Sequence, residues 1–425
     1  MTNRIVILGG GTGGTLVANR LRRLLPADSV EITVVDHDDQ HIYQPGLLFV
    51  PFGLATISDL VRLRHRQLRR GVTFRRAAID HVEVATNRVH LFDGAVLDYD
   101  VLVVASGATL VPGETEGLTG PGWMKDVFTF YDAEGAGALA GALATFDRGR
   151  LVVNVVDMPI KCPVAPLEFC FLADWYLTKR GVRDHVDITY VTPLDGAFTK
   201  PVASEHLRGM LAAKHIELVT EFNTGKVDGR SRRIVGYDGR EIDFDLAVVI
   251  PLHGGADYVG RSPGLGDELN FVPADDHTLQ SKVAPNIFVI GDAAGIPASK
   301  AGSVAHFEGE IVVDNVRHQL AGEPVIERFD GHANCFIETG YGKALLIDFN
   351  YETEPMPGRY PTKLGLPLLK ESRLNHLGKR MFETFYWHGL LPGRDIPGVT
   401  AAMPTVGKTS PTNNRNNTDT ITGKD

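Results

Sequence analysis

The chain has 425 residues, 43% hydrophobic and 22% charged, an ordinary globular composition long enough for two or three domains with sizeable cores. Its net charge of −9 argues against general nucleic-acid binding. Three cysteines, Cys162, Cys170 and Cys335, are too few for a disulfide scaffold, so any that matter are expected to be redox-active. The N-terminus enters a strand at once, without a charged n-region and apolar h-region, so no signal peptide is expected. No run approaches the roughly 18 uninterrupted apolar residues of a membrane span, which leaves a bilayer surface open but not a crossing.

Taken in chain order, "RIVIL" at 4–8 reads as a buried strand, followed by the glycine turn and helix of "GGGTGGTLVANRLRRLL". Leu16, Val17, Leu21, Leu24 and Leu25 are expected to share that helix's apolar face. "VEITVVD" at 30–36 completes a βαβ unit, and "DYDVLVVASGA" at 98–108 is a further buried strand ending in a small-residue turn. "GRLVVNVVD" at 149–157 opens a second series, continued by a helix near 166–180, "HVDITYVTP" at 185–193 and "DFDLAVVIPLHGG" at 243–255. "APNIFVIGDAAG" at 284–295 precedes a helix from about Ser303 to Leu320. Residues 332–350 read as a hairpin with Gly340 and Gly342 at its turn, and the polar stretch after Val406 reads as a disordered tail.

The pattern predicts an α/β fold of two Rossmann-like dinucleotide-binding-type domains plus a C-terminal hairpin and amphipathic-helix region. The expected boundaries are 1–108 for the first part of the first dinucleotide-binding domain, 109–274 for the second domain, 275–325 for the return to the first, 326–407 for the C-terminal region and 408–425 for the tail.

Gly9, Gly11 and Gly14 form G-x-G-x-x-G directly between strand and helix, where a tight turn lets a pyrophosphate approach the helix N-terminus. Asp36 closes the next strand, where a carboxylate accepts hydrogen bonds from a ribose. Two further segments resemble those of two-dinucleotide flavoproteins: the strand and turn through Ser106 and Gly107, and the strand ending in Gly291-Asp292. Together the three segments favour FAD over NAD at the first site.

A flavoprotein reduced by NAD(P)H needs a second glycine fingerprint. After "RLVVNVV" the chain has Pro-Ile-Lys-Cys-Pro instead, and prolines supply no N–H to a phosphate. Lys161 and a helix starting near Pro166 are expected to favour the Cys162 thiolate, a nucleophile able to exchange with disulfides. Cys170, in "LEFCFLADWYL", is expected to be core packing. Cys335 in the hairpin strand reads alone as a packed small hydrophobe, and with Cys162 as a candidate redox partner.

"PIKCPVAPLEF", "IPASKAGSVAHFEGE", "NCFIETGYGKALLIDF" and the aromatic C-terminal helix with "LLPGR" together resemble sulfide:quinone oxidoreductases over roughly residues 1–400. The resemblance implies that Cys162 and Cys335 carry sulfur as a bridge beside the flavin. Sulfide attacks that bridge, the released Cys335 thiolate reduces the flavin, and a quinone takes the electrons. It further implies that Lys300 lies near the flavin pyrimidine edge and that Glu168 accepts protons, a surface helix acid being the alternative. Many relatives carry a third active cysteine in the segment corresponding to 125–132, here "KDVFTFYD", which has none. The flavoprotein subunit of flavocytochrome c sulfide dehydrogenase is also similar, but the cysteine that links its FAD is absent near "HIYQPG", so FAD is expected to be non-covalent.

The segment 363–394 holds six Lys/Arg against two Asp/Glu and places Leu374, Leu377, Met381 and Phe385 on one helical face. Such a helix suits a membrane interface, and Phe382, Phe385, Tyr386 and Trp387 suit a quinone ring; a core or dimerising helix is the alternative. The expectation is a peripheral membrane enzyme on the cytoplasmic face, compatible with a homo-oligomer, with sulfide and quinone as partners and no metal site. A flavocytochrome c-like sulfide dehydrogenase passing electrons to a haem protein, a type II NADH:quinone dehydrogenase and a non-catalytic flavin-bearing carrier or sensor of sulfane sulfur are the competing readings.

Overall fold

The computed structural model describes residues 2–394 and 400–409. In chain order the elements that build its two main sheets are β1 (Asn3–Leu8), α1 (Thr12–Leu24), β2 (Val30–Asp36), β3 (Thr73–Arg76), β4 (Val101–Val104), β5 (Val127–Phe128), β6 (Gly149–Val155), α2 (Ala165–Arg180), β7 (Val186–Val191), β8 (Ile216–Val219), β9 (Leu246–Ile250) and β10 (Ile287–Val289). They are followed by α3 (Gly302–Ala321), the hairpin strands β11 (Ala333–Gly340) and β12 (Lys343–Phe349), and α4 (Arg373–Phe385).

The first sheet runs β10-β4-β1-β2-β3 and the second β5-β9-β6-β7-β8, every neighbouring pair parallel. Parallel strands covered on both faces read as continuous apolar runs, which is why "RIVIL", "VLVV" and "LAVVI" were legible. The fold is α/β with two Rossmann-like halves, and β10 returns the chain to the first sheet after the second is complete. In each sheet the order reverses beside the first strand of its βαβ unit, which opens a crevice at the carboxyl ends of the strands.

Two local readings differ from the structure. Leu16, Val17 and Leu21 are fully buried, but Leu24 is 46% exposed and Leu25 caps the helix end in extended conformation. The helix stops before a further turn could bring Leu24 inward, whereas Leu25 still packs partly buried against the core. The tail begins later than expected: Lys408 pairs with Gly358 in a β-bridge, and its ammonium is buried against the Asp348 carboxylate, which also meets His332 Nε2 at 2.8 Å. A buried ion pair holds Lys408 in the C-terminal region. Residues 410–425, read as disordered, lie outside the described residues.

Candidate active site

The crevice of the first sheet opens into a cavity of ≈ 990 Å3 lined by residues of both halves and of the C-terminal region. The glycine turn forms one end of it. Gly9 has φ +100°, and a Cβ on Gly14 would lie 1.9 Å from the Gly9 carbonyl oxygen, so Gly14 acts by letting α1 approach β1 and does not itself line the cavity. A Cβ on Gly11 would meet nothing, and Gly11 lines the open space. No side chain caps α1 and no acidic residue occupies its first turn, so its free N–H groups fit an anionic pyrophosphate.

Asp36 lines the cavity and is also engaged with the backbone. Its carboxylate already accepts the N–H of Gly10 (2.7 Å) and of His37 (2.8 Å) and pairs with Arg64 at 2.8 Å. It therefore braces the glycine turn as well as facing the cavity. Arg64 lines the same wall, 6% exposed, and was not singled out because one arginine in "RLRHRQLRR" carries no distinguishing spacing.

Gly291 takes φ +71° at the second turn, and its N–H donates to Glu308 (2.6 Å). Burial pushes Glu308 up to about 7 from 4.5, so the folded state holds this proton more tightly than the unfolded chain. Its contribution favours the fold below pH 4.5 and is lost as pH rises through about 7. Glu308→Gln keeps the acceptor and removes the titration. The variant's Tm relative to wild type should therefore climb across that window, and a constant difference would place the titration elsewhere.

Lys300 is not free at a cofactor edge. Its Nζ donates to the carbonyls of Asp292 and Ala294, both at 2.9 Å, and sits 4.4 Å from the Phe271 ring centroid. It lines the cavity while holding the Gly291-Asp292 turn, and Asp292 and Ser106-Gly107 line the same space. The Lys300 carbonyl also accepts the N–H of Cys162 at 2.6 Å, which ties this turn to the cysteine loop.

Cys162 has φ +49°, a left-handed conformation that costs a non-glycine residue about 1–3 kcal/mol. Three bonds hold it there: its N–H to Lys300, and its carbonyl accepting from the Ala165 N–H (2.9 Å) and the Tyr131 hydroxyl (3.1 Å). The expected thiolate is not supported. Burial, reinforced by the Glu168 carboxylate, pushes Cys162 up to about 12. The α2 N-terminus acts in the expected direction through Ala165 N–H, and Lys379 is a second cation that acts on the thiol, besides the adjacent Lys161.

Cys335 lines the same cavity, 7% exposed, and burial and the nearby Cys162 and Glu168 raise its thiol as well. All three cysteines are free thiols. Cys170 is fully buried in the core and does not line the cavity. Where relatives often carry a third cysteine, Phe130 and Tyr131 form the wall. Glu168 is 2% exposed rather than a surface acid; it accepts the Glu338 N–H (2.6 Å) and pairs with Lys379, whose Nζ also donates to the Phe336 carbonyl (3.2 Å). Lys379 was missed because it is one of three Lys/Arg on α4, with Arg373 and Arg380, and its spacing sets it apart from neither.

Phe382 and Phe385 line the cavity. Tyr386 does too, but its hydroxyl is pinned by Thr12 Oγ1 and His41 Nε2, both at 2.7 Å. Trp387 does not line it: the ring is 3% exposed, edge-on to Tyr386 and His41, with the Arg62 guanidinium 4.2 Å from its centroid. A π-helical turn at Tyr386–Leu390 shifts the helical register there and turns Trp387 inward. On the outer face of α4, Leu374, Leu377 and Met381 are 49%, 53% and 61% exposed. Among the described residues no helix is long and apolar enough to cross a membrane.

Residues 3–152 match the family described as Pyridine nucleotide-disulphide oxidoreductase, whose members bind FAD. The chain is 28% identical over 396 residues to the mitochondrial sulfide:quinone oxidoreductase of Dictyostelium discoideum, covering 92% of this chain and 86% of that one. It is 25% identical over 395 residues to the mitochondrial sulfide:quinone oxidoreductase of Mus musculus, covering 91% and 87%. Its fold is similar to the X-ray structure of the sulfide:quinone oxidoreductase from the hyperthermophilic bacterium Aquifex aeolicus, with a TM-score of 0.78 and 19% identity over 92% of both chains. With its two parallel sheets and these relatives, the chain is an oxidoreductase similar over nine-tenths of its length to sulfide:quinone oxidoreductases.

Proposed function

We propose that this enzyme oxidises sulfide to sulfane sulfur at a Cys162–Cys335 pair and passes the two electrons through a non-covalently held FAD to a quinone. The observation that carries the reading is that Cys162, Cys335 and the uncapped glycine turn, drawn from three regions of the chain, line one cavity. The residues present fit FAD: the open space at Gly11, the Gly291-Asp292 turn and the uncapped starts of α1 and α3 all face that cavity. When bound, FAD supplies the two-electron relay between a sulfur donor and a quinone. The domain division at 108, 274, 325 and 407 is proposed with it.

The raised thiols bear on which state reacts. A protonated dithiol is a poor nucleophile, so the oxidised bridge is the form that accepts sulfide. Hydrosulfide attacks Cys162 Sγ; a new S–S bond forms there, the bridge breaks and Cys335 leaves as a thiolate holding the electron pair destined for the flavin. Lys379, which acts on both thiols, stabilises the leaving thiolate, and the α2 N-terminus adds a second positive end. Tyr131 and Lys300 keep the Cys162 backbone in register for attack. Phe382 and Phe385 offer flat apolar surface to a quinone ring, and the exposed leucines with the basic residues of 363–394 suit a membrane surface.

The test is anaerobic. Sulfide should bleach the flavin of the purified protein, a soluble quinone should restore it, and the protein should sediment with anionic vesicles. Bleaching by NADH and not by sulfide would sink the proposal.

A further inference from the structure

The cavity also reaches a group of residues that the sulfur chemistry does not use: Ala78, Ile79, Phe92, Asp257 and Arg261. Backbone hydrogen bonds tie this group to the sheet that carries the glycine turn. β2 ends at Asp36, whose carbonyl accepts the Ala77 N–H at 2.9 Å, and the Ala78 carbonyl accepts the Phe92 N–H at 3.0 Å. Phe92 follows the strand Arg88–Leu91 and precedes a turn at Asp93-Gly94, where Gly94 takes φ +84°. Its ring is 64% exposed and lines the cavity with Asp36 and His37.

Single exposed aromatics are ordinary on a protein surface. Phe92 differs from the exposed Tyr237 in two ways: it lines the cavity, and a cation is fixed over one of its faces. The Arg261 guanidinium lies 5.2 Å from the ring centroid. Its Nε donates to the Asp80 carbonyl (2.9 Å) and its Nη2 to the Ile79 carbonyl (3.1 Å), so the stretch of chain leading from Asp36 to Phe92 holds the arginine in place. The neighbouring Ser262 adds a third tie, its Oγ accepting the Val82 N–H at 2.8 Å. A phosphate-binding turn, a carboxylate suited to a ribose and a flat aromatic thus follow one another along one wall, in the order pyrophosphate, ribose and base of an adenine dinucleotide. We propose that Phe92, braced by Arg261, is the seat on which the adenine ring of FAD stacks, an inference that rests on the FAD reading above.

Adenine suits this seat on chemical grounds. It is planar and uncharged, and its π face stacks on an aromatic ring without any hydrogen-bond readout. Ala78 and Ile79 add small apolar surface along the same wall. An anionic group is a poorer occupant, because Asp36 and Asp257 line the same cavity and Arg261 is already bonded to two carbonyls. The isoalloxazine ring belongs with Cys162 and Cys335, which leaves the base at the far end of the dinucleotide for Phe92. Nothing covalent holds the cofactor in this reading, so its retention depends on contacts of this kind. Phe92 serves the adenosine half alone and takes no part in electron transfer.

The test measures cofactor binding, not turnover. FAD released on dilution of the holoprotein, followed by flavin fluorescence, gives its Kd, and FMN is titrated into the protein so stripped. Phe92→Leu, which keeps apolar bulk and loses the π face, should weaken FAD roughly 10-fold. Phe92→Trp, with a larger π face, should hold FAD as tightly as wild type or more so. FMN has no adenine, so it should bind wild type and both variants alike, and more weakly than FAD binds wild type. Equal FAD affinity in wild type and Phe92→Leu would overturn the seat. So would a loss in Phe92→Leu that FMN shares in full, which would mean that the ring only staples the hairpin of Ile79–Glu83 and Arg88–Leu91 to the segment 257–262. A wild-type protein that takes up neither flavin would instead overturn the FAD reading itself.

Discussion

Replacing Cys335 with serine is expected to leave a protein that folds and binds flavin yet passes no electrons to it from sulfide. A serine hydroxyl cannot form the sulfur–sulfur bond, so sulfide finds no bridge and no thiolate is released. The rate of flavin bleaching by sulfide should fall by more than roughly 1,000-fold, and Cys162→Ser should match it, since a bridge needs both ends. Cys170→Ala separates chemistry from packing. Cys170 is fully buried in the core away from the cavity, so its truncation should cost about 1 kcal/mol of stability and leave bleaching intact. Equal loss of activity at all three positions would mean that the helix core is part of the sulfur site.

Lys379→Met is expected to be the most destabilising single change in the site. It leaves the Glu168 carboxylate, 2% exposed, with the Glu338 N–H and no cation. Removing one partner of a buried pair costs about 3–5 kcal/mol, whereas removing both is close to neutral. The urea midpoint should therefore drop sharply in Lys379→Met and recover to within about 1 kcal/mol of wild type in the Lys379→Met, Glu168→Gln double variant. Glu168→Gln retains the acceptor for Glu338, which is why it rescues. If the double variant is no better than the single, Lys379 acts through its contacts with Phe336 and Phe49 and not through charge.

The two sheets were legible because buried parallel strands announce themselves as apolar runs, and the first glycine turn because its spacing is dictated by close backbone approach at Gly14. The hairpin of β11 and β12 was legible from its glycines. The electrostatics were not. Proximity in sequence put Lys161 beside Cys162, but Lys379, 217 residues further on, also acts on the thiol and carried no sequence signal. Asp36 and Lys300 line the cavity, and each is also engaged with backbone groups that no pattern could anticipate. Trp387 failed for a related reason: a regular helical wheel cannot anticipate a π-helical turn.

The clasp of Tyr386 on Thr12 joins residues 374 apart, and the fully buried Asn19 side chain donates to the Leu391 carbonyl 372 residues away. The glycine turn is thus finished by the last helical turn among the described residues. At about 5–20 residues per second of synthesis, the first βαβ unit waits roughly 20–80 s for its closing partner. Until then the Thr12 and Asn19 side chains stand without these acceptors and donors. Contacts of such separation also slow folding after release, because the loop must close before they return any energy. A cofactor held at the glycine turn is therefore expected to bind firmly only after the C-terminal region has been made and has closed on it.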